Sequence, residues 1–173
     1  MVVTFRRLDL KTNLEYVFDL YLKNREFFRR VAPDLRKEDI LNIESIIQGT
    51  FYLVQDENQN KLGITFLTRV DNSGLSCHLG VLLEEHYQDR KINEIKIAFH
   101  VTRQFISYIF SHTHLRKISM CFLKKRIDIE RSLIKGGFHK EAQYRESVYF
   151  EGKFQDEIEY ALFKDDFIKL YGS

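Results

Sequence analysis

The stretch Leu75-Ser76-Cys77-His78-Leu79-Gly80-Val81-Leu82-Leu83 decides the fold. It follows the turn signal Asp71-Asn72-Ser73-Gly74 and is apolar for most of its length, so it reads as a core strand. Upstream, Phe51 to Gln55 and Leu62 to Val70 read as two further strands joined by the turn Asp56-Glu57-Asn58-Gln59-Asn60. The three strands together make an antiparallel meander. Downstream the period changes: Ile95, Ile97, Ala98, Val101, Phe105, Ile109 and Phe110 recur at helical spacing from Asn93 to Ser111, and Lys117 to Leu123 is a strand again. The quoted stretch is therefore the hinge between a meander and a β-α-β crossover.

Working outward, Val2 to Leu8 is a short strand, and Asn13 to Arg30 is a helix with Leu14, Val17, Phe18, Tyr21, Leu22 and Phe28 on one side. Asn13 is a candidate N-cap and Pro33 ends the helix. Arg36 to Gln48 reads as a second helix, with Ile40, Ile43, Ile46 and Ile47 facing inward. Beyond the crossover, Ile127 to Lys135 is a helix stopped by Gly136-Gly137, and Glu146 to Glu151 with Asp156 to Phe163 reads as a hairpin turning at Gly152-Lys153. The order is β-α-α-β-β-β-α-β-α-β-β, a mixed α/β sheet.

The chain has 173 residues, 44% of them apolar, with 8 Gly and 1 Pro and no linker or repeat, which sets a single domain over 1–173. Lys plus Arg is 27 against 25 Asp plus Glu, a net charge of +2, without the basic excess of a dedicated nucleic-acid binder. No apolar run approaches the roughly 18 residues of a membrane span. Met1 to Arg7 lacks the apolar segment of a signal peptide, so a cytoplasmic protein without a membrane partner is expected. Cys77 and Cys121 have no CxxC partner and read as reduced core thiols. His112-Thr113-His114 has no third ligand nearby, so no metal is expected.

Several local strings, in this element order, resemble the GNAT acyltransferase superfamily and within it the Rim-type ribosomal-protein N-acetyltransferases. Lys23-Asn24-Arg25 through Pro33 resembles the first-helix string, Lys61-Leu62-Gly63-Ile64 the start of the third strand, and His78-Leu79-Gly80-Val81-Leu82-Leu83 the fourth strand. Lys135-Gly136-Gly137-Phe138 resembles the end of the fourth helix, and Arg145-Glu146 through Gly152-Lys153-Phe154-Gln155-Asp156 the closing hairpin. The resemblance spans nearly the whole chain. It implies a mostly antiparallel sheet of about seven strands, splayed between the fourth and fifth, with about four flanking helices. It also implies transfer of an acyl group from acetyl-CoA or another acyl-CoA, or from the phosphopantetheine thioester of an acyl carrier protein, to a primary amine of a protein, peptide or small molecule.

What the resemblance implies for the site can be tested residue by residue. The fourth-strand backbone, here Leu79, Val81, Leu82 and Leu83, would serve as a sheet partner for pantetheine, with Leu115 to Leu123 across the splay. The family's glycine-rich pyrophosphate loop aligns with Tyr87-Gln88-Asp89-Arg90-Lys91-Ile92-Asn93, where Asp89 and Lys91 replace two glycines. A β-carbon at both places obstructs close backbone approach, and Asp89 adds a carboxylate beside a diphosphate, partly offset by Arg90, Lys91 and the helix expected from Asn93. A single-phosphate carrier would need this loop less. The tyrosine that protonates the leaving thiolate in the family corresponds to Leu133, and the cofactor-contacting asparagine to Arg126. Ser132 is then the nearest candidate acid. His78 stands where the family often has a basic carboxylate, and imidazole can take a proton from an ammonium nucleophile near neutral pH; the alternative is a satisfied, partly buried histidine. Glu84 and Glu85 could attract an amine or form a solvated acidic turn. The leading expectation is a GNAT-type N-acyltransferase, monomeric or homodimeric. The alternative is a catalytically inactive GNAT fold that binds an acyl carrier or a protein partner.

Overall fold

The computed structural model describes residues 1–25, 34–73, 75–88, 91–92, 95–123 and 127–172, without the side chains of 88, 91, 92, 95, 127 and 128. The chain divides into two compact units, Met1–Thr68 with Gly80–Ser107, and Arg69–Leu79 with Tyr108–Ser173. Pairing runs in one strand order, β1-β2-β3-β4-β7-β9-β8, with β1 Val3–Arg7, β2 Gly49–Asp56, β3 Lys61–Asp71, β4 Ser76–Leu83, β7 Lys117–Leu123, β8 His139–Phe150 and β9 Lys153–Phe163. This is the mixed, mostly antiparallel seven-stranded sheet that the sequence predicts.

In the first unit, β1 pairs antiparallel with β2, and β2 with β3. The β2–β3 register slips after Val54: Val54 faces Gly63 and Gln55 faces Lys61, leaving Leu62 as a bulge. A bulged residue turns to the other face of its sheet. Leu62 accordingly packs with Val3, Val54, Leu83, Ile97 and Val101, while Ile64 joins Leu53, Phe66 and Leu82 on the opposite side. Helix α1 (Leu14–Lys23) covers the Ile64 side with buried Val17, Leu20 and Tyr21. Asn13 sits at its N-cap without a capping side-chain bond: its amide donates to Asp9 O (2.9 Å) and its Oδ1 accepts from Lys61 Nζ (2.8 Å).

The expected helix over Arg36 to Gln48 is two pieces, a 3-10 helix Lys37–Asn42 and one α-turn, α2, Ile43–Ile46. The tighter 3-10 pitch aligns Ile40 with Ile43, and the α-turn then aligns Ile47, so these three are buried and Ile46 points outward. After β4 come the one-turn α3 (Glu85–Gln88), the two-residue strands β5 (Lys91–Ile92) and β6 (Ile95–Lys96) paired antiparallel, and α4 (Ile97–His112). The crossover helix thus begins four residues later than the sequence suggests, with Ile95 and Lys96 in the β5–β6 pairing instead.

In the second unit β7 pairs antiparallel with β9, and β9 with β8. Alternation separates the faces of these strands. Ile118, Met120, Ile158, Tyr160 and Leu162 are buried on one. The buried Phe110 and Phe167 rings meet at a tilt, with centroids 5.7 Å apart. Helix α5 (Ile127–Lys135) closes with Phe138 N bonded to Leu133 O and Gly137 N to Ile134 O, with Gly137 at φ +88. That is the left-handed glycine stop foreseen at Gly136-Gly137. The β8–β9 turn is Glu151-Gly152, one residue earlier than expected; both have positive φ (54 and 77), as a type I′ hairpin needs. Strand β8 starts at His139, well before the expected Glu146, and a last helix α6 (Lys164–Tyr171), unforeseen in the sequence, buries Phe167.

Candidate active site

The second face of β7 and β9 carries chemistry. Along β7 it shows Lys117, Ser119 and Cys121, and along β9 Glu157, Glu159 and Ala161, with Cys121 opposite Glu159. His78 joins it from β4. The parallel ladder between β4 and β7 covers Ser76–His78 against Lys117–Ser119 and ends at the His78–Ser119 rung.

There the His78 Nε2 lies 3.6 Å from Glu159 Oε1, with a quarter of the histidine side chain exposed. The other carboxylate oxygen, Oε2, accepts a 2.5 Å hydrogen bond from the Tyr144 hydroxyl of β8. Burial pushes the Glu159 carboxyl up, but the Tyr144 hydroxyl, the His78 ring, the Ser119 hydroxyl and the Lys117 ammonium together hold it below its ordinary value. Glu159 is thus a carboxylate at neutral pH, fixed at one oxygen and facing an imidazole with the other. A carboxylate so placed stabilises the cation formed when the imidazole takes a proton. Glu157, two residues along, is buried and accepts from Ser147 Oγ (3.0 Å), while Lys117 pairs with Glu141.

Ser132 lies on α5, half-buried. Tyr160, whose side chain points away from the Glu159 face, is buried against Glu130 of that helix, and burial and then the neighbouring carboxylate raise its hydroxyl pKa. Ser132 and His78 are therefore presented on opposite faces of β9. Leu133, which holds the place of the family's tyrosine, is a buried core residue. Cys77 is buried, its thiol pushed up to about 12, and inert as a nucleophile; Cys121 is half-buried and not in a disulfide.

In the first unit, Leu79's successors Gly80 to Leu83 form the inner end of β4, with Leu82 and Leu83 buried and Val81 half-buried. Glu84 follows, and its side chain is only one-fifth exposed, 3.9 Å from Lys23 Nζ. The buried Tyr16 hydroxyl lies near it without a hydrogen bond of good geometry; burial first, and then the Glu84 charge, raise the Tyr16 pKa. Lys61 Nζ sits 4.7 Å from the centre of the Tyr16 ring. Glu84 is thus an engaged carboxylate, whereas Glu85 is exposed. Lys91 and Ile92 stand in the β5 strand. Asp89, Arg90, Asn93 and Arg126 lie outside the described residues, as do Phe27, Phe28, Pro33, Lys124 and Lys125, and Gln88 is described by its backbone alone. Among the described residues no cluster of three or more His, Cys, Asp or Glu is arranged to hold a metal ion, and no helix is long and apolar enough to cross a membrane.

No protein-family model and no curated protein matches the sequence. Solved structures do. Spermidine N-acetyltransferase from Vibrio cholerae in complex with CoA and spermine superposes with a TM-score of 0.82 at 16% identity, covering 96% of this chain and 98% of that one. The dodecameric form of the same enzyme in an intermediate state gives 0.82 at 15% identity, with 98% of each chain covered. Its complex with manganese ions gives 0.81 at 16% identity, covering 98% and 96%. The fold is the GNAT acyltransferase fold. At such identities the likeness concerns the fold, and the chemistry has to be argued from this chain's own residues.

Neither Glu159 nor Tyr144 is marked as a site residue by the sequence. The signal was present in part: Glu157-Ile158-Glu159-Tyr160-Ala161 alternates carboxylate and apolar residues, placing two acids on one face of a strand. Which histidine that face would meet, 81 positions earlier, depends on the strand order.

Proposed function

We propose that the protein is a GNAT-type N-acyltransferase that moves an acyl group from acyl-CoA to a primary amine, with His78 as general base. The observation that carries this reading is the place of His78, at the last rung of the β4–β7 ladder and against the Glu159 carboxylate. The unprotonated imidazole removes a proton from the attacking ammonium group; the amine nitrogen then bonds to the thioester carbonyl carbon. The C–S bond breaks and the thiolate takes up, through solvent, the second proton that the former amine nitrogen gives off; Ser132, the donor suggested by the sequence, lies across β9 from His78 and is not placed to supply it. The β4 backbone from Leu79 to Leu83 is proposed to bind the pantetheine arm as an added strand, and residues 88–93 with Arg126 its phosphates.

The Rim-type strings favour a protein or peptide amine over a small molecule, and the substitutions Asp89 and Lys91 leave a carrier-protein thioester as an alternative donor. The protein is proposed to work in the cytoplasm as a monomer or homodimer. A second reading, a fold that binds an acyl carrier without turnover, draws on Leu133, since an aliphatic core residue cannot donate the proton that a tyrosine would.

Thermal unfolding with and without acetyl-CoA is the test. Ligand at 100 times its dissociation constant stabilises by about 2.7 kcal/mol, a shift of several degrees for a chain of this size. An unchanged midpoint up to millimolar acyl-CoA overturns the coenzyme A reading.

A further inference from the structure

Resting on the reading that β4 receives the acyl carrier, we infer that Phe66 sets how long an acyl group the protein accepts. The arm proposed for Leu79 to Leu83 has its phosphates at residues 88–93, beyond the Leu83 end of the strand, so its acyl end comes to Gly80. Gly80 is half-buried and has no side chain to occupy the face of β4 above it. The ring of Phe66, from the neighbouring strand β3, takes that place. A β-carbon on Gly80 would lie 2.1 Å from Phe66 Cζ, 2.3 Å from Cε2 and 2.6 Å from Cε1. Those are the outer atoms of the ring, which therefore points end-on across β4, away from its own strand. Glycine at position 80 is what lets it reach so far.

The ring is held from behind. Phe51 is its partner across the β2–β3 ladder and is wholly buried, and the two rings stack with centroids 5.2 Å apart. Leu53, Ile64 and Leu82 belong to the same buried cluster. Such a core is close-packed, so a ring pushed back into it displaces its neighbours. Phe66 nevertheless keeps 8% of its surface exposed where Phe51 keeps none, which sets it at the rim of the cluster. A chain on an arm lying along the edge of β4 away from β3, and extended over this face, meets the ring tip first. An acetyl group stops short of the ring, whereas a longer chain has to displace it. An apolar wall of this kind discriminates by roughly 10- to 200-fold per methylene.

The test is calorimetric titration of the full chain with free CoA, acetyl-CoA and hexanoyl-CoA, in the wild type, F66A and F66L. Free CoA carries the arm without an acyl group, so each acyl affinity is read relative to it in the same protein. In the wild type, hexanoyl-CoA is expected to bind about tenfold or more weakly than acetyl-CoA. F66A removes the ring, and the two then bind alike or hexanoyl-CoA binds more tightly. F66L keeps most of the core filled but ends short of Gly80; it moves the ratio the same way by less, and answers if F66A does not fold. The wild-type ratio is read even if neither variant folds. Equal affinity of the wild type for the two acyl-CoAs, or one ratio in all three proteins, overturns the inference and leaves the coenzyme A reading in place. Binding of none of the three compounds by the wild type overturns the coenzyme A reading, and the inference with it.

Discussion

The carbonyl oxygen of Leu82 occupies the space that a side chain on Gly63 would need: a β-carbon there would lie 2.1 Å from it and 2.8 Å from Leu83 Cα. Both obstacles are backbone, so neither can rotate aside. Gly63 lets β3 run against the inner end of β4, the segment proposed to receive the acyl carrier. G63A is expected to destabilise by about 3 kcal/mol and to lower the melting temperature by roughly 6–12 °C. Calorimetry of the purified variant checks it, and a midpoint within a degree of the wild type would show that the strands can separate freely.

The hairpin tip holds a small reserve of stability. Glu151 adopts φ +54, where a residue with a β-carbon is strained, and asparagine tolerates this conformation far better. E151N is expected to gain about 0.5–1 kcal/mol, a rise of roughly 2 °C, with no effect on any activity.

Acid should weaken the second unit in a defined direction. The Glu159 pKa is lowered from 4.5 in the folded chain, so its contribution is present above that value and disappears as pH falls through the lower, folded value. Melting temperatures measured from pH 6 down to pH 3 are expected to fall less steeply for E159Q than for the wild type. Parallel curves would show that Glu159 carries no such linkage.

The proposed phosphate loop can be repaired. Replacing Asp89 by glycine removes a carboxylate and a β-carbon where the resemblance places a diphosphate. Calorimetric titration is expected to show D89G binding CoA about tenfold more tightly than the wild type, a gain that high salt reduces. Equal affinities would move the phosphate site elsewhere.

The sequence was legible wherever local chemistry decides. Gly137 stops α5 and Asp71-Asn72-Ser73 separates β3 from β4, because such residues impose backbone geometry by themselves. Element order followed from hydrophobic period, and with it the sheet. Pitch was not legible: nothing local in Arg36 to Gln48 distinguishes a 3-10 helix followed by one α-turn from a continuous helix. Helix α6 was within reach, since Phe163, Phe167 and Tyr171 repeat at four-residue spacing. His78 was singled out by the family resemblance, which sets a base at its place in the fourth strand, whereas Glu159 and Tyr144 reach it through a ladder order and two register slips in β8, between Lys140 and Ala142 and between Tyr144 and Val148. Only long-range pairing fixes those.

The central claim is that His78 drives acyl transfer to an amine, and thiol release measures it directly. Wild type and H78A are incubated with acetyl-CoA and, in turn, a polyamine, a lysine-containing peptide and a peptide with a free N-terminus, and free CoA is followed with a thiol reagent. The account predicts amine-dependent CoA release by the wild type with at least one acceptor, and its loss by a factor of about 100 or more in H78A with acetyl-CoA binding retained. Amine-dependent release that is the same in both proteins, or none in the wild type with any acceptor, would contradict it.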